Sequence, residues 1–468
     1  MRSSFRVLFA ATVASLAAAA LAAPAPAAGI TITSNTTLTA DQSGTVTIGA
    51  DGVTLNCAGH TISGSDFAGI DVTGRSGVTV DNCRVSGFTM GIFLNGSSGN
   101  RIVGNTLTGN ANGGLLLYDN SEHNIVVGNT ANANGWYGIW LQSDADGNTV
   151  SGNTANANPY SGIFVIFATG NTLSRNTANG NGGAPVGALD AGQGFYLYDA
   201  GGNTLEGNTA TGNVSDGFQL RDGSSGNTLT RDDGSGNGRN GFALFEGSNG
   251  NTLDRDVASH LHGVGFLGGF MVDSSNDNRL TGDVTSDDSD GIVLLFPGGQ
   301  TVVNACTGTG NVAYGFDTNR STGVTFVGDS ASGNTYGGFF NILSTRTTYT
   351  ANFARGNGGA SVGPLDEGEG FYLYDTSGTT MTANLAVQNV TDGFQLRGAT
   401  GTMIRDNSSL ANKRIGFGLF ADDFGTQSTG NTVVSNLGRG NAVFDAEDTS
   451  PAGSNTWSGN SFESVQLP

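Results

Sequence analysis

Apolar residues recur along this chain in short groups at a fixed pitch. A Gly followed by an apolar–any–apolar triplet begins at Gly69, Gly91, Gly114, Gly138 and Gly162. It resumes at Gly194, Gly217, Gly241, Gly269, Gly291, Gly315 and Gly338, and ends at Gly370, Gly393 and Gly416. Most intervals are 22 to 24 residues, with two of 32 and one of 28. Two shorter alternating segments precede each triplet, as in Asn148-Thr-Val-Ser-Gly-Asn153-Thr-Ala and Asn203-Thr-Leu-Glu-Gly-Asn208-Thr-Ala. Period-two alternation bounded by Gly, Asn, Ser and Asp predicts strands joined by turns. Three strands per ~22 residues is one coil of a right-handed parallel β-helix. A left-handed hexapeptide helix would repeat every ~18 residues, a nonapeptide roll every ~9 and a propeller blade every ~40.

One such coil cannot bury its apolar face alone, whereas stacked coils do so continuously. The pattern predicts an all-β solenoid of about 16 coils over residues 51–440, with caps at 29–50 and 441–468 protecting the open strand edges. Asn105, Asn129, Asn153, Asn176 and Asn208 share one coil position and are expected to form an internal amide ladder. A larger duplication overlies the coils. Residues 181–221 and 357–397 match in register at an offset of 176, read as eight coils of 22, and both carry the insertion behind the 32-residue intervals. Residues 1–28 read as a secretion signal, with Arg2 and Arg6 before the apolar run Val7 to Ala23 and small residues after Pro24.

Composition agrees with an ordered β repeat. Gly is 77 of 468 residues, about twice the usual share, while Pro is only 8, which excludes collagen and Pro-rich linkers. The net charge of −20 repels phosphate backbones and argues against nucleic acid as a partner. Once the signal is removed, no segment is suited to a membrane. The three cysteines are Cys57, Cys83 and Cys306. Export permits a disulfide, and Cys57 and Cys83, about one coil apart, are placed to form it across adjacent coils. Cys306 is then a buried free thiol.

The GNT-x(n)-GNT-x(n)-GIxL rhythm resembles the secreted β-helix proteins of the pectin-lyase-like superfamily, and is closest to the NosD-like group of carbohydrate-binding and sugar-hydrolysis repeats. The opening run Asp51-Gly-Val-Thr-Leu-Asn-Cys-Ala-Gly-His60-Thr-Ile-Ser-Gly64 is similar to the first coil of many such chains. The likeness covers about residues 30–465. It implies the fold and an extracellular or envelope location. Its members include polysaccharide lyases, hydrolases, uronate epimerases, copper-maturation accessories and non-enzymatic surface proteins.

Alternation sets candidate chemistry on one outer face. The first and third residues after each Gly point inward, and the second and fourth outward. The outward positions include Trp140, Phe164, Tyr196, Tyr198 and Gln219, and in the second copy Tyr372, Tyr374 and Gln395. Such a stripe fits a glycan groove, with Trp140, Phe164, Tyr198, Gln219, Tyr374 and Gln395 binding substrate. It also fits a homo-oligomer seam, or cover by the insertions themselves. Asp190, Asp199 and Asp216 stand beside it, with Asp366, Asp375 and Asp392 in the second copy. Two carboxyl groups suit glycoside hydrolysis. Tyr196 or Tyr198 with Arg221, and Tyr372 with Arg397, suit proton abstraction beside a uronate. Asp before Gly is equally a turn residue, and duplication alone does not make a site. The expected function is therefore cleavage of an extracellular polysaccharide by hydrolysis or β-elimination. The alternatives are non-catalytic glycan binding and a structural oligomer.

No cofactor is required on this reading. His260 and His262 alternate to one side of a strand and suit a transition metal, or else form a local turn. Asp287-Asp288-Ser-Asp290 and Asp422-Asp423 suit weak Ca²⁺ binding or solvated turns. Only Met90, Met271, Met381 and Met403 remain after signal removal, which argues against a dedicated copper site.

Overall fold

The computed structural model describes residues 29–183, 191–261, 267–359 and 368–468. Asp190, Asp366, His262 and the signal segment 1–28 lie outside the described residues. The chain winds as an all-β solenoid of about 17 turns, and every strand pairing is parallel to the equivalent strand one coil on (for example Phe164↔Tyr196 and Phe195↔Phe218). One face is a 19-stranded sheet built from the Gly-led segments, with strands of up to six residues such as Tyr137–Gln142 and Gln193–Tyr198. A second sheet carries the three-residue strands Thr149–Ser151 and Thr204–Glu206. The third narrows to single bridges such as Thr154↔Thr177 over the middle coils. At ~4.8 Å per strand the long face runs about 85 Å.

The segments expected as caps carry coil strands too. Ile30–Ile32 pairs with Val46–Ile48, and Thr432–Val434 with Thr456–Ser458. The two duplicated segments stand seven coils apart rather than eight, because the steps from Gln193–Tyr198 to Glu369–Tyr374 include coils longer than 22 residues.

Why Gly leads each long strand is visible at Gly194. A Cβ there would sit 2.6 Å from Ala210 Cβ and 2.8 Å from the Gly217 carbonyl, so only Gly admits this close approach. The next residue turns inward. Phe195, Phe218, Phe242 and Phe270 stack with ring centroids 4.7–4.8 Å apart, one ring per coil. Phe316, Phe339, Phe371, Phe394 and Phe417 form a second column. The amide ladder is present as expected. Asn153 donates its backbone N–H and its Nδ2 to Asn176 Oδ1, both at 3.0 Å, and Asn176 does the same to Asn208 at 2.9 and 3.1 Å. Two further ladders run at the other corners, through Asn124, Asn148 and Asn171 and through Asn134, Asn158 and Asn181. At the start of the first ladder Cys57 and Cys83 form a disulfide, with Cα atoms 4.7 Å apart. Cys306 is free and buried.

Candidate functional site

The outward stripe lies where alternation puts it, but in these coils it is not open to solvent. Trp140 is 3 % exposed, Tyr196 2 % and Tyr198 7 %, while Phe164, Gln219 and Gln395 are fully buried and Tyr372 is 5 % exposed. The side chains pack on one another as a second apolar cluster. Tyr137 stacks on Phe164 at 5.0 Å, Phe164 on Tyr196 at 5.0 Å, and Trp136 and Tyr160 close the edge. Gln193 Nε2 donates to Gln219 Oε1 at 2.6 Å. The expectation of an exposed stacking floor at Trp140, Phe164, Tyr198, Gln219 and Gln395 is corrected accordingly. Strand alternation decides the face, and the turns before each strand supply residues that cover it. This cluster needs no second subunit to bury it.

Asp216 and Asp392 belong to the same covered layer. Both are fully buried. Asp392 receives Arg414 Nε at 2.7 Å, Arg414 Nη2 at 2.6 Å and the Ile415 N–H at 3.0 Å. Asp216 accepts the backbone N–H and Nδ2 of Asn240 at 3.0 and 2.8 Å, with Arg239 Nη1 4.0 Å away. These aspartates tie one coil to the next, and their bonding leaves them facing protein rather than substrate.

Above that layer two half-open clusters occupy matching places. Each is built on a cross-strand ladder at the ends of the long strands: Tyr198–Arg221 in the first copy, Tyr374–Arg397–Phe420 in the second. Asp199 and Asp375 end their strands with positive φ (43° and 50°), a conformation Asp tolerates. Each passes its N–H to the next coil's Arg carbonyl. Beyond this the copies differ. In the first, Arg221 forms a bidentate pair with Glu246 at 2.9 and 2.8 Å. Arg221, Arg239, Phe245, Glu246, Asp273 and Ser274 line a cleft of about 170 Å³. Burial, and a hydrogen bond with Asp222, raise the Tyr198 phenol above its ordinary value.

In the second copy Arg397 lies 5.6 Å from the Phe420 ring centroid. Burial and a hydrogen bond with the Asp422 carboxylate raise Asp375 to about 6. Burial works against ionisation of Asp422 as well, but N–H donors from Thr426 and Phe424, at 2.7 and 2.9 Å, keep it below the usual carboxylate range. Tyr374 Oη donates to Asp423 Oδ2 at 3.3 Å. Gly398 leaves the space under the Asp375 carboxyl that a Cβ would fill. A carboxyl raised by burial and one held low by N–H donors thus share one rim. Tyr372 sits beneath them, its phenol raised by burial and opposed by Arg397.

Asp422 and Gly398 were not singled out for catalysis by sequence. Asp422 stands two coils beyond Asp375 on the long face, and the useful signal is that Gly398 replaces the first copy's Asp222. The other acidic run, Asp287 to Asp290, does not converge. Asp287 lies at the surface near His260 Nε2 (3.6 Å), Asp288 turns inward to Thr285 Oγ1 (2.6 Å), and Asp290 turns to the covered outer layer. Among the described residues no group of three or more His, Cys, Asp or Glu is arranged to hold a metal, and no helix is long and apolar enough to cross a membrane.

Comparison with known sequences gives two matches. The family described as periplasmic copper-binding protein (NosD) matches over residues 24–145 and 58–240. The right-handed β-helix region family matches over 292–462. No curated protein matches the chain. Among solved structures, tailspike protein 3 of bacteriophage CBA120 is 10 % identical with a TM-score of 0.45, covering 77 % of this chain and 56 % of the tailspike. The surface adhesin PfbA of Streptococcus pneumoniae is 9 % identical with a TM-score of 0.41, covering 70 % and 86 %. The alginate lyase AlyF-OU02 is 11 % identical with a TM-score of 0.36, covering 73 % and 82 %.

Proposed function

For this right-handed β-helix, matched by the NosD and right-handed β-helix region models, we propose that it acts on an extracellular polysaccharide by hydrolysis at the second duplicated cluster. One arrangement carries this reading: half-buried Asp375 is hydrogen-bonded to Asp422 and raised to about 6, while N–H donors hold Asp422 below the usual carboxylate range. Glycoside hydrolysis needs such a division, one carboxyl giving a proton to the leaving oxygen and another acting as base or nucleophile. Asp375 is the acid. Asp422 tunes Asp375 rather than meeting substrate, and the second carboxyl is assigned to Asp423, exposed and bonded to Tyr374. Arg397 orients the sugar from the other side.

Elimination is disfavoured by the same environment. Tyr198 and Tyr372 are held as neutral phenols by burial, so neither is poised to remove a proton at neutral pH. The first copy, its Arg221 neutralised by Glu246, binds the polysaccharide about 34 Å along the rod from the second, seven strand spacings away. On this reading residues 1–28 act as an export signal, the protein works outside the cell or at its envelope, and no cofactor is required, with Ca²⁺ left to the assay below.

The test is a panel of neutral glucans, fructans, arabinans, pectin, alginate and glycosaminoglycans, with and without Ca²⁺. New reducing ends without unsaturated-uronate absorbance are expected. Absorbance would replace hydrolysis with elimination. Binding without any product would leave a glycan-binding protein.

A further inference from the structure

The internal ladder changes chemistry in the middle of the rod. After Asn208 its rungs are Asp232, Asp256, Asp283, Cys306 and Asp329, and it returns to amide at Asn352. An Asn rung sends two N–H groups to the next Oδ1, one from the backbone and one from Nδ2. Asn208 still does so, to Asp232 Oδ1 at 2.6 and 2.9 Å. Asp232 sends only its backbone N–H to Asp256 Oδ1 (2.7 Å), and Asp256 only its own to Asp283 Oδ1 (2.8 Å). The missing donor can be supplied by nothing in the row except a carboxylic acid O–H. The outer two acids have compensation, since Asp232 Oδ2 accepts from Thr230 N–H and Asp283 Oδ2 from Thr281 N–H. Asp256 Oδ2 is also buried, and the equivalent N–H, that of Asp254, approaches it without reaching ordinary hydrogen-bond geometry.

All three carboxyl groups are at most 1 % exposed. The groups facing Asp256 along the row are acidic or neutral: Asp232 and Asp283 on either side, then the Cys306 thiol and Asp329. The nearby arginines lie at the surface of the turn and are paired, Arg231 with Glu206 and Arg255 with Asp254. Like charges one strand spacing apart in a buried row oppose joint ionisation.

We propose that Asp232, Asp256 and Asp283 form a proton-binding row that locks the middle of the rod in acid and loosens it as pH rises past neutrality. The direction follows from linkage. Burial raises Asp232 and Asp283 to about 7, and Asp256 is raised well above its ordinary value by burial and by both neighbours. The folded chain therefore binds more protons than the unfolded chain between about pH 4 and 7, so this stability is complete below ~4 and declines as pH rises through 7.

Thermal unfolding of the full mature chain at pH 5 and pH 8 tests this. The wild type should melt lower at pH 8. Asp256→Asn restores the missing donor, so it should match the wild type at pH 5 and exceed it by at least ~2 °C at pH 8. Asp144→Asn, which removes an exposed charge, should show no such gain. Asn153→Asp, in an all-amide stretch, should add a loss at pH 8 that shrinks at pH 5. An Asp256→Asn offset equal at both pH values, or a gain reproduced by Asp144→Asn, would overturn the proposal.

Discussion

Asp392 stands before a Gly in the second duplicated segment, and its place in the structure makes a sharp prediction for Asp392→Asn. The wild-type carboxylate is fully buried and takes two charge-assisted donors from Arg414 and one N–H from Ile415. The Asn oxygen can still serve Ile415, but its NH₂ meets the guanidinium. Removing one partner of a buried pair costs about 3–5 kcal/mol. Two features reduce this. Arg414 retains 29 % side-chain exposure and can be partly hydrated, and Glu447, whose carboxyl senses both Asp392 and Arg414, can capture the freed cation. The expected loss is about 2–4 kcal/mol. Urea unfolding measures it. Turnover of the panel's substrate, assayed well below the unfolding transition, should be unchanged in kcat. A variant within ~0.5 kcal/mol of wild type that nevertheless loses kcat would refute the structural role and return Asp392 to the catalytic set.

The covered outer layer and the proton on Asp375 lead to further expectations. Trp140→Ala should cost about 3–5 kcal/mol in chemical denaturation and leave polysaccharide affinity unchanged, since the ring is core rather than binding surface; lost affinity with intact stability would contradict this. Reducing the Cys57–Cys83 bond, which closes a 26-residue separation, should lower stability by about 3 kcal/mol in a chain-entropy treatment, read as a fall in urea midpoint. Hydrolysis should decline as pH rises above about 6, because the acid role of Asp375 requires its proton; a rate that rises through pH 6–8 would assign the proton elsewhere.

Much of the scaffold was legible in the chain because each coil repeats the same local chemistry. Gly before the inward Phe, Asn at the corner and the Cys57–Cys83 spacing each report on a neighbour one coil away, and a fixed pitch makes that neighbour findable. Continuing the Asn153–Asn176–Asn208 register would also have reached Asp232, Asp256 and Asp283. The site was less legible. Alternation places Trp140 and Phe164 outward without saying that Trp136 and Tyr160 close over them. Asp216 and Asp392 look catalytic until Asn240 and Arg414 arrive from the following coil. Asp375 gains its partner from Asp422, which a two-residue acidic run does not announce. The three acids from Asp287 to Asp290 separate because successive positions at that turn face the surface, the core and the outer layer.

If the second cluster, and not the first, carries the acid, the two equivalent aspartates must respond differently to the same substitution. Asp375→Asn and Asp199→Asn should therefore be compared on the polysaccharide the protein cleaves. For Asp375→Asn, kcat should fall by at least ~100-fold, the scale of a general-acid contribution, with folding intact. Asp199→Asn should keep kcat and change at most KM. Equal kcat in wild type and Asp375→Asn, or a collapse confined to Asp199→Asn, would contradict this assignment of the acid.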